Sequence, residues 1–108
     1  MSKTVYNKLI RDRIPEFIHA AGKQYETAVM TEEEYSQALR SKLVEEAQEA
    51  QLAAPGDLAT ELADLQEVMS ALMVVYGVSP EQVNALQATR RDERGGFEQR
   101  LKLLWSGE

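Results

Sequence analysis

An all-α fold, an antiparallel helical bundle, is predicted by two features of the sequence. Apolar residues recur with a helical period over residues 32–53, 58–76 and 80–94. Each of these stretches follows a residue or motif that can begin a helix, and short breaks separate them. The chain has 108 residues, so we expect one domain, residues 1–108, whose small core is completed by oligomerisation.

The N-terminal third contains the start of the first long helix. A short helix is predicted at residues 16–21, ended by Gly22, and an extended segment follows at residues 23–30. Thr31 and Glu34 have the spacing of a capping box, so a long helix is expected to start at residue 32 and to run to about residue 53.

Two further helices are predicted from their boundary residues. Pro55 and Gly56 break the first long helix, and Asp57 is expected to cap a second one that ends at Gly77. Ser79 caps a third helix, which ends between residues 90 and 94. The apolar tail after it, which includes Phe97 and Trp105, is expected to pack on the bundle or on a partner subunit.

Composition and charge exclude several classes of protein. The net charge of −6 disfavours non-specific nucleic-acid binding, which needs a basic surface. There is no cysteine, hence no disulfide framework and no thiolate metal site. Neither a signal-peptide pattern nor a run of apolar residues long enough for a membrane span is present. We expect a cytoplasmic protein without nucleic-acid or membrane partners.

Two pairs of acidic residues stand out in the middle of the chain. Glu46 and Glu49 form one pair and Glu61 and Asp64 the other, with Glu45 beside the first pair. A step of three residues places both members of a pair on nearly the same helix face. Eleven residues separate the pairs, which leaves room for a tight turn and places them on consecutive antiparallel helices.

The direction of these acids indicates a metal site. At about 100° per residue, Glu46 and Glu61 lie within the apolar stripes of their helices, and Glu49 and Asp64 lie at the stripe margins. Carboxylates buried together repel one another unless a cation binds them. Oxygen ligands without histidine favour Mg²⁺ or Mn²⁺ over zinc. The inferred chemistry is metal-assisted attack of water on a phosphate chain.

These motifs resemble those of a known superfamily. The pattern Glu45-Glu46-x-x-Glu49 followed by Glu61-x-x-Asp64 is similar to the signature of the MazG-like all-α nucleoside triphosphate pyrophosphohydrolases. That superfamily includes phosphoribosyl-ATP pyrophosphohydrolase and the dimeric dUTPases. Residues 7–15 (NKLIRDRIP) and 93–97 (ERGGF) resemble a small single-domain branch, so the likeness extends over most of the chain.

The resemblance implies hydrolysis of a (deoxy)nucleoside triphosphate to the monophosphate and pyrophosphate, which clears unwanted nucleotides from the pool. It implies that Glu46, Glu49, Glu61 and Asp64 are Mg²⁺ ligands. Glu45 would orient or activate the attacking water, or help to hold a second metal. Homodimers or homotetramers are implied as well, with helices of two subunits around the site.

Cationic residues are candidates for substrate binding. Lys8 and Arg11 can contact phosphates from the N-terminal segment, and Arg94 can do so from the late motif. Lys42, one turn before Glu46, can either neutralise the acids or contact an anionic substrate.

Alternative functions remain open at this point. The histidine-biosynthesis enzymes of the superfamily carry a histidine where this chain has Val68, which weakens the phosphoribosyl-ATP alternative. A non-catalytic helical module that senses nucleotides or binds a protein is a second alternative, and a face that binds a protein would turn its acids outward.

Overall fold

Four helices make up the regular secondary structure of residues 2–108, the part of the chain that the computed structural model describes. They are α1 (Ile14–Ala20), α2 (Glu32–Leu52), α3 (Leu58–Tyr76) and α4 (Pro80–Arg94). The all-α prediction is confirmed, and α3 has the predicted bounds. Residues 23–30, between α1 and α2, form neither helix nor strand, so their extended conformation stays a prediction.

The start of α2 is fixed by the predicted capping box. The Thr31 hydroxyl accepts a hydrogen bond from the backbone N–H of Glu34 at 3.2 Å. In return, the backbone N–H of Thr31 donates to the Glu34 carboxylate at 3.1 Å. These bonds give partners to backbone groups that would otherwise lack them at the start of the helix. They also fix the residue at which α2 begins, and hence the direction in which its acids point.

The ends of α3 differ in how well they were predicted. Gly77 ends the helix in the left-handed conformation, with φ of 66°, as expected for a glycine after the last turn. Asp57 was predicted to cap the start, and this is wrong. Its backbone is helical (φ −100°, ψ −8°) and its side chain makes no capping hydrogen bond, because a side-chain cap normally requires an extended backbone at this position. At α4 the predicted cap is present, with the Ser79 hydroxyl accepting from the N–H of Gln82.

The packing of the chain is concentrated in the antiparallel hairpin of α2 and α3. Only two apolar residues among residues 2–108, Leu39 of α2 and Val68 of α3, are buried, and each keeps a small exposed fraction. The molecule measures 62 × 33 × 28 Å, and its radius of gyration of 18.8 Å is well above the roughly 13 Å of a compact domain of this length. A single copy therefore positions the site without enclosing a normal core.

One polar contact joins the far end of the hairpin. The Arg40 guanidinium donates a hydrogen bond to the Tyr76 hydroxyl at 3.1 Å and lies 5.0 Å from the centre of its ring. This bond lowers the pKa of the tyrosine. The pair joins the first half of α2 to the end of α3. No local sequence pattern predicts it, because the two residues are 36 positions apart.

The C-terminal tail does not pack on the bundle. Phe97 is 96% exposed and Trp105 is 82% exposed, and Leu101, Leu103 and Leu104 are similarly open. The prediction that the tail covers the bundle is wrong for a single copy, because α4, which leads into the tail, makes little contact with the α2–α3 hairpin. The alternative, packing on a partner subunit, stays a prediction.

Within residues 2–108 no single helix is both long and apolar enough to cross a membrane. Taken together, α3 and α4 meet that test of length and composition, although the pair is bent by 111°.

Candidate functional site

Three carboxylates converge between α2 and α3. Glu46 of α2 and Glu61 and Asp64 of α3 each offer one oxygen, and these oxygens all lie within 4.8 Å of one another. Three of the four predicted metal ligands are thus brought together, which follows from the inward direction of both acidic pairs. We refer to Glu46, Glu61 and Asp64 as the acidic cluster.

Two oxygens of the acidic cluster have no hydrogen-bond partner. Glu46 is 8% exposed, and its Oε2 is buried without a partner among residues 2–108. The same holds for Oε2 of Glu61. A buried carboxylate oxygen without a donor is costly, and a cation that accepts it as a ligand removes that cost. Carboxylate oxygens from three residues at this separation fit a hard divalent cation.

Glu46 and Glu61, the two glutamates of the acidic cluster, hold their protons more tightly than ordinary glutamates. Burial is the main cause that raises the pKa of Glu46, and the negative charge of Glu49 adds to it. Burial also raises the pKa of Glu61, with further contributions from the charges of Glu49 and Asp64. Both pKa values are raised because burial disfavours the charged form of a carboxylate, as expected from the inward direction of these acids in the sequence.

Glu49 lies outside the acidic cluster. Its side chain is exposed, and no oxygen of it joins the three that converge. It nevertheless lies close enough to raise the pKa of both Glu46 and Glu61 by its charge. The predicted ligand role of Glu49 therefore stays a prediction, and the structure places it on the solvent side of the other three acids.

Cationic side chains surround the acids. The Lys8 ammonium lies 2.7 Å from Oε1 of Glu45, and the Arg11 guanidinium lies 2.8 Å from Oδ1 of Asp64. Lys42 approaches Glu45 at 3.6 Å and Glu46 at 4.0 Å. Three of the four cations predicted to contact the substrate thus lie beside the acids, each already paired with a carboxylate.

Glu45 is set apart from its neighbours by these contacts. The hydrogen bond from Lys8 lowers the pKa of Glu45, and the charge of Lys42 acts in the same direction against the opposing effect of burial. In turn, the bond to Glu45 raises the pKa of Lys8. Glu45 is therefore a charged carboxylate at the rim of the site, and Glu46 next to it is a buried one.

Arg94 is not joined to this site. It ends α4, which makes little contact with the α2–α3 hairpin, and no ion pair links it to the acidic cluster within residues 2–108. The phosphate-binding role predicted for Arg94 stays a prediction.

The sequence did not predict that Lys8 pairs with Glu45 and that Arg11 pairs with Asp64. The one signal for it is the basic character of the N-terminal segment of an acidic protein.

The fold and the site define a class: an all-α hairpin that presents a cluster of inward carboxylates able to hold a divalent cation. Comparison with known proteins gives the family. The model of the phosphoribosyl-ATP pyrophosphohydrolase family matches residues 5–90, most of the chain, and the chain belongs to this family within the MazG-like all-α superfamily. The family acts on phosphoric anhydrides as pyrophosphohydrolases, typically with a metal.

The matched range covers Lys8, Arg11 and all five acids around the site and ends before Arg94. Neither the curated proteins nor the solved structures give a match to this chain.

Proposed function

We propose that this protein is a metal-dependent hydrolase of (deoxy)nucleoside triphosphates, releasing the monophosphate and pyrophosphate and serving to clear unwanted nucleotides. The observation that supports it is the acidic cluster, in which oxygens of Glu46, Glu61 and Asp64 converge and two are buried without partners. Family membership supports the hydrolysis of a phosphoric anhydride, and the nucleotide substrate is the further step of the proposal.

In this proposal the acidic cluster holds Mg²⁺, with Mn²⁺ as an alternative, and Glu49 contributes from the solvent side. The cation would neutralise the phosphate chain and acidify a water molecule. The burial of Glu46 keeps bulk water away from the innermost ligand. The buried residues Leu39 of α2 and Val68 of α3 help to hold together the hairpin that carries the carboxylates.

Glu45 is proposed to orient the attacking water or to accept its proton. It is charged and partly exposed, and Lys8 and Lys42 fix its carboxylate at the rim of the site. With Arg11, these lysines lie where a phosphate chain bound at the acidic cluster would meet them. Their positive charge supports binding of the chain and of the departing pyrophosphate.

Phosphoribosyl-ATP is the second candidate substrate, favoured by the description of the matching family. It carries a triphosphate chain as well, so the acidic cluster can serve either substrate. Val68 occupies the position where the histidine-biosynthesis enzymes are expected to carry histidine, and it is buried between α2 and α3. An apolar side chain there offers no hydrogen bond to a substrate, which favours the nucleoside triphosphate.

The rival reading is a module that senses nucleotides or binds a basic partner without turnover. The burial of Glu46 argues against a basic docking partner, because a charged docking surface keeps its acids in water. A non-catalytic sensor would still bind the metal ion but would not hydrolyse the nucleotide.

We also propose that the protein works as a homodimer or homotetramer in the cytoplasm. A row of apolar residues along α3 has alternating spacings of four and three residues, as in helices that pack against a second helix. Its members are Leu58, Leu62, Leu65, Met69, Leu72 and Tyr76. Leu62 is 50% exposed in a single copy, so this row has apolar area left for a partner helix.

Release of pyrophosphate tests the proposal directly. The panel comprises the canonical and modified (d)NTPs and phosphoribosyl-ATP, each with Mg²⁺ and with chelator. We expect metal-dependent turnover by the wild type and at least about a 100-fold loss in Glu46→Gln. Glu67→Gln, an exposed glutamate of α3, is the matched control. If the wild type shows no metal-dependent activity on any of these substrates, the proposal is wrong.

A further inference from the structure

We propose that Arg11 is an exchangeable counter-ion of the acidic cluster, which pairs with Asp64 until a divalent cation binds and then turns to the phosphate chain of the substrate. The inference rests on the proposed function and adds a step to it. It concerns a residue that otherwise counts only as one of several substrate-binding cations.

The first observation is that one short segment crosses both helices of the site. Lys8 binds Glu45 of α2 and Arg11 binds Asp64 of α3, at 2.7 Å and 2.8 Å. The segment between them is neither helix nor strand, so these side chains hold it in place together with the half-buried Leu9. Asn7 just before it has a positive φ of 46°, a left-handed turn that asparagine tolerates better than most residues.

The two ion pairs differ in what they block. Asp64 belongs to the acidic cluster, and Arg11 bonds directly to its Oδ1. Glu45 lies outside the cluster, so the Lys8 pair leaves the converging oxygens free. A divalent cation at the cluster repels the nearby guanidinium and takes over the charge of Asp64. Arg11 is thus the cation that competes with the metal, and Lys8 is the tether that keeps Arg11 close.

The charges around the site fit such an exchange. Five carboxylates, Glu45, Glu46, Glu49, Glu61 and Asp64, face the three cations Lys8, Arg11 and Lys42. These acids outnumber the cations, and Asp57 adds further negative charge near Glu61, so a divalent ion would offset part of the excess. After that ion has bound, an incoming polyphosphate again needs positive charge, and Arg11 can supply it with the two-pronged geometry that guanidinium offers to phosphate.

The pair is weak enough to exchange. Both side chains are partly open to solvent, 58% for Arg11 and 36% for Asp64. Ion pairs of that exposure contribute little stability and are readily replaced by a stronger charge. By contrast, no cation among residues 2–108 donates a hydrogen bond to Glu46, since Lys42 approaches it only to 4.0 Å.

Titration with Mg²⁺ alone tests the exchange without turnover. In calorimetry we expect Arg11→Gln to bind Mg²⁺ roughly two- to fivefold more tightly than the wild type, the range set by an exposed ion pair. Arg13→Gln is the matched control, because Arg13, just before α1, pairs at 2.7 Å with Glu16 of that helix. A merely structural Arg11 would leave the Mg²⁺ affinity equal or weaker, and that result overturns the inference.

Amide hydrogen exchange over residues 9–12 gives an independent readout. In the wild type, Mg²⁺ alone should speed exchange there, and Mg²⁺ with a non-hydrolysable dNTP analogue should slow it again as Arg11 meets phosphate. Unchanged exchange on adding Mg²⁺ contradicts the inference. If the wild type hydrolyses nucleotides yet Arg11→Gln binds Mg²⁺ no better, the inference alone fails. If the wild type binds no Mg²⁺, the proposed function fails with it.

Discussion

Glu46 on α2 and Glu61 on α3 face each other across the hairpin, and each has its Oε2 buried without a hydrogen-bond partner among residues 2–108. Burial raises the pKa of both. Two helices that pack through few apolar side chains are therefore joined at a point where their charges repel. The hairpin is less stable than its packing alone would make it until a cation binds there.

Mg²⁺ should therefore stabilise the protein against unfolding. At a concentration 100 times the Kd, the expected gain is about 2.7 kcal/mol, seen as a melting temperature higher than in chelator. Glu46→Gln should lose most of this response, since an amide is a poorer ligand and carries no charge. The control Glu67→Gln, at an exposed position of α3, should keep it.

The ionic-strength control separates a metal site from a general acidic surface. NaCl that matches the ionic strength of the Mg²⁺ buffer should stabilise the wild type far less than Mg²⁺ does. Equal stabilisation by the two salts would mean that the carboxylates act as a solvated acidic surface, and the site assignment would then fail.

The stability of the metal-free protein should depend on the proton held by Glu46. Its pKa is raised above 4.5, so the folded protein binds this proton more tightly than the unfolded chain does. The stabilising contribution is fully present below pH 4.5 and is lost as the pH rises through the folded-state pKa. In chelator, the melting temperature of Glu46→Gln minus that of the wild type should therefore increase with pH.

The neighbouring acid Glu45 does not account for such a trend. Glu45 has a lowered pKa, so its contribution has the opposite sign, present at higher pH and lost as the pH falls. Both proteins contain Glu45, and the difference between them cancels its effect to first order. A difference in melting temperature that stays constant with pH would contradict the buried, proton-holding state of Glu46.

Much of the fold was predictable because its signals are local. The Thr31 to Glu34 box, the Gly77 stop and the Ser79 cap each depend on residues a few positions apart. The acidic cluster was predictable for a related reason, since helical period fixes the direction of Glu46 and Glu61. The prediction that Asp57 caps α3 was wrong because the backbone of Asp57 is helical after the tight turn. The residue preferences of helix caps do not reveal this backbone conformation.

Contacts between distant residues were not predictable in this way. Lys8 and Glu45 are 37 positions apart, and Arg11 and Asp64 are 53 apart. The sequence identified Lys8 and Arg11 as cations that could reach the site, and only the structure shows which carboxylates they contact. The exposed tail near Trp105 is a similar case, because apolar composition does not tell whether a segment packs on its own copy or on another.

Removing the positive charge of Lys8 should shift the pH profile of the enzyme. The hydrogen bond from Lys8 lowers the pKa of Glu45, so Lys8→Met should let that pKa rise towards 4.5. If Glu45 must be ionised for catalysis, the acidic limb of kcat/KM, which reports on the free enzyme, moves to higher pH. Lys23→Met, at an exposed lysine outside the site, is the control. An acidic limb that does not move would remove Glu45 from the role of base.

The capping box should stabilise α2 measurably. Thr31→Ala removes the oxygen that accepts from the Glu34 N–H, and we expect a loss of about 1 kcal/mol in the free energy of unfolding by urea. Thr31→Ser keeps the oxygen and should retain most of that stability. Equal losses in the two variants would show that the threonine methyl group, and not the cap, accounts for the effect.

The apolar row of α3 gives the prediction on assembly. Leu62→Glu places a charge in the middle of this row and should shift the protein towards the monomer, with a lower melting temperature, as measured by light scattering and thermal unfolding. Val74 also lies on α3 but outside the row, and it is 81% exposed, so Val74→Glu should leave the mass unchanged. A wild type that is already monomeric at micromolar concentration would contradict the proposed assembly. If instead Val74→Glu alone dissociates the assembly, the partner helix packs on the other face of α3.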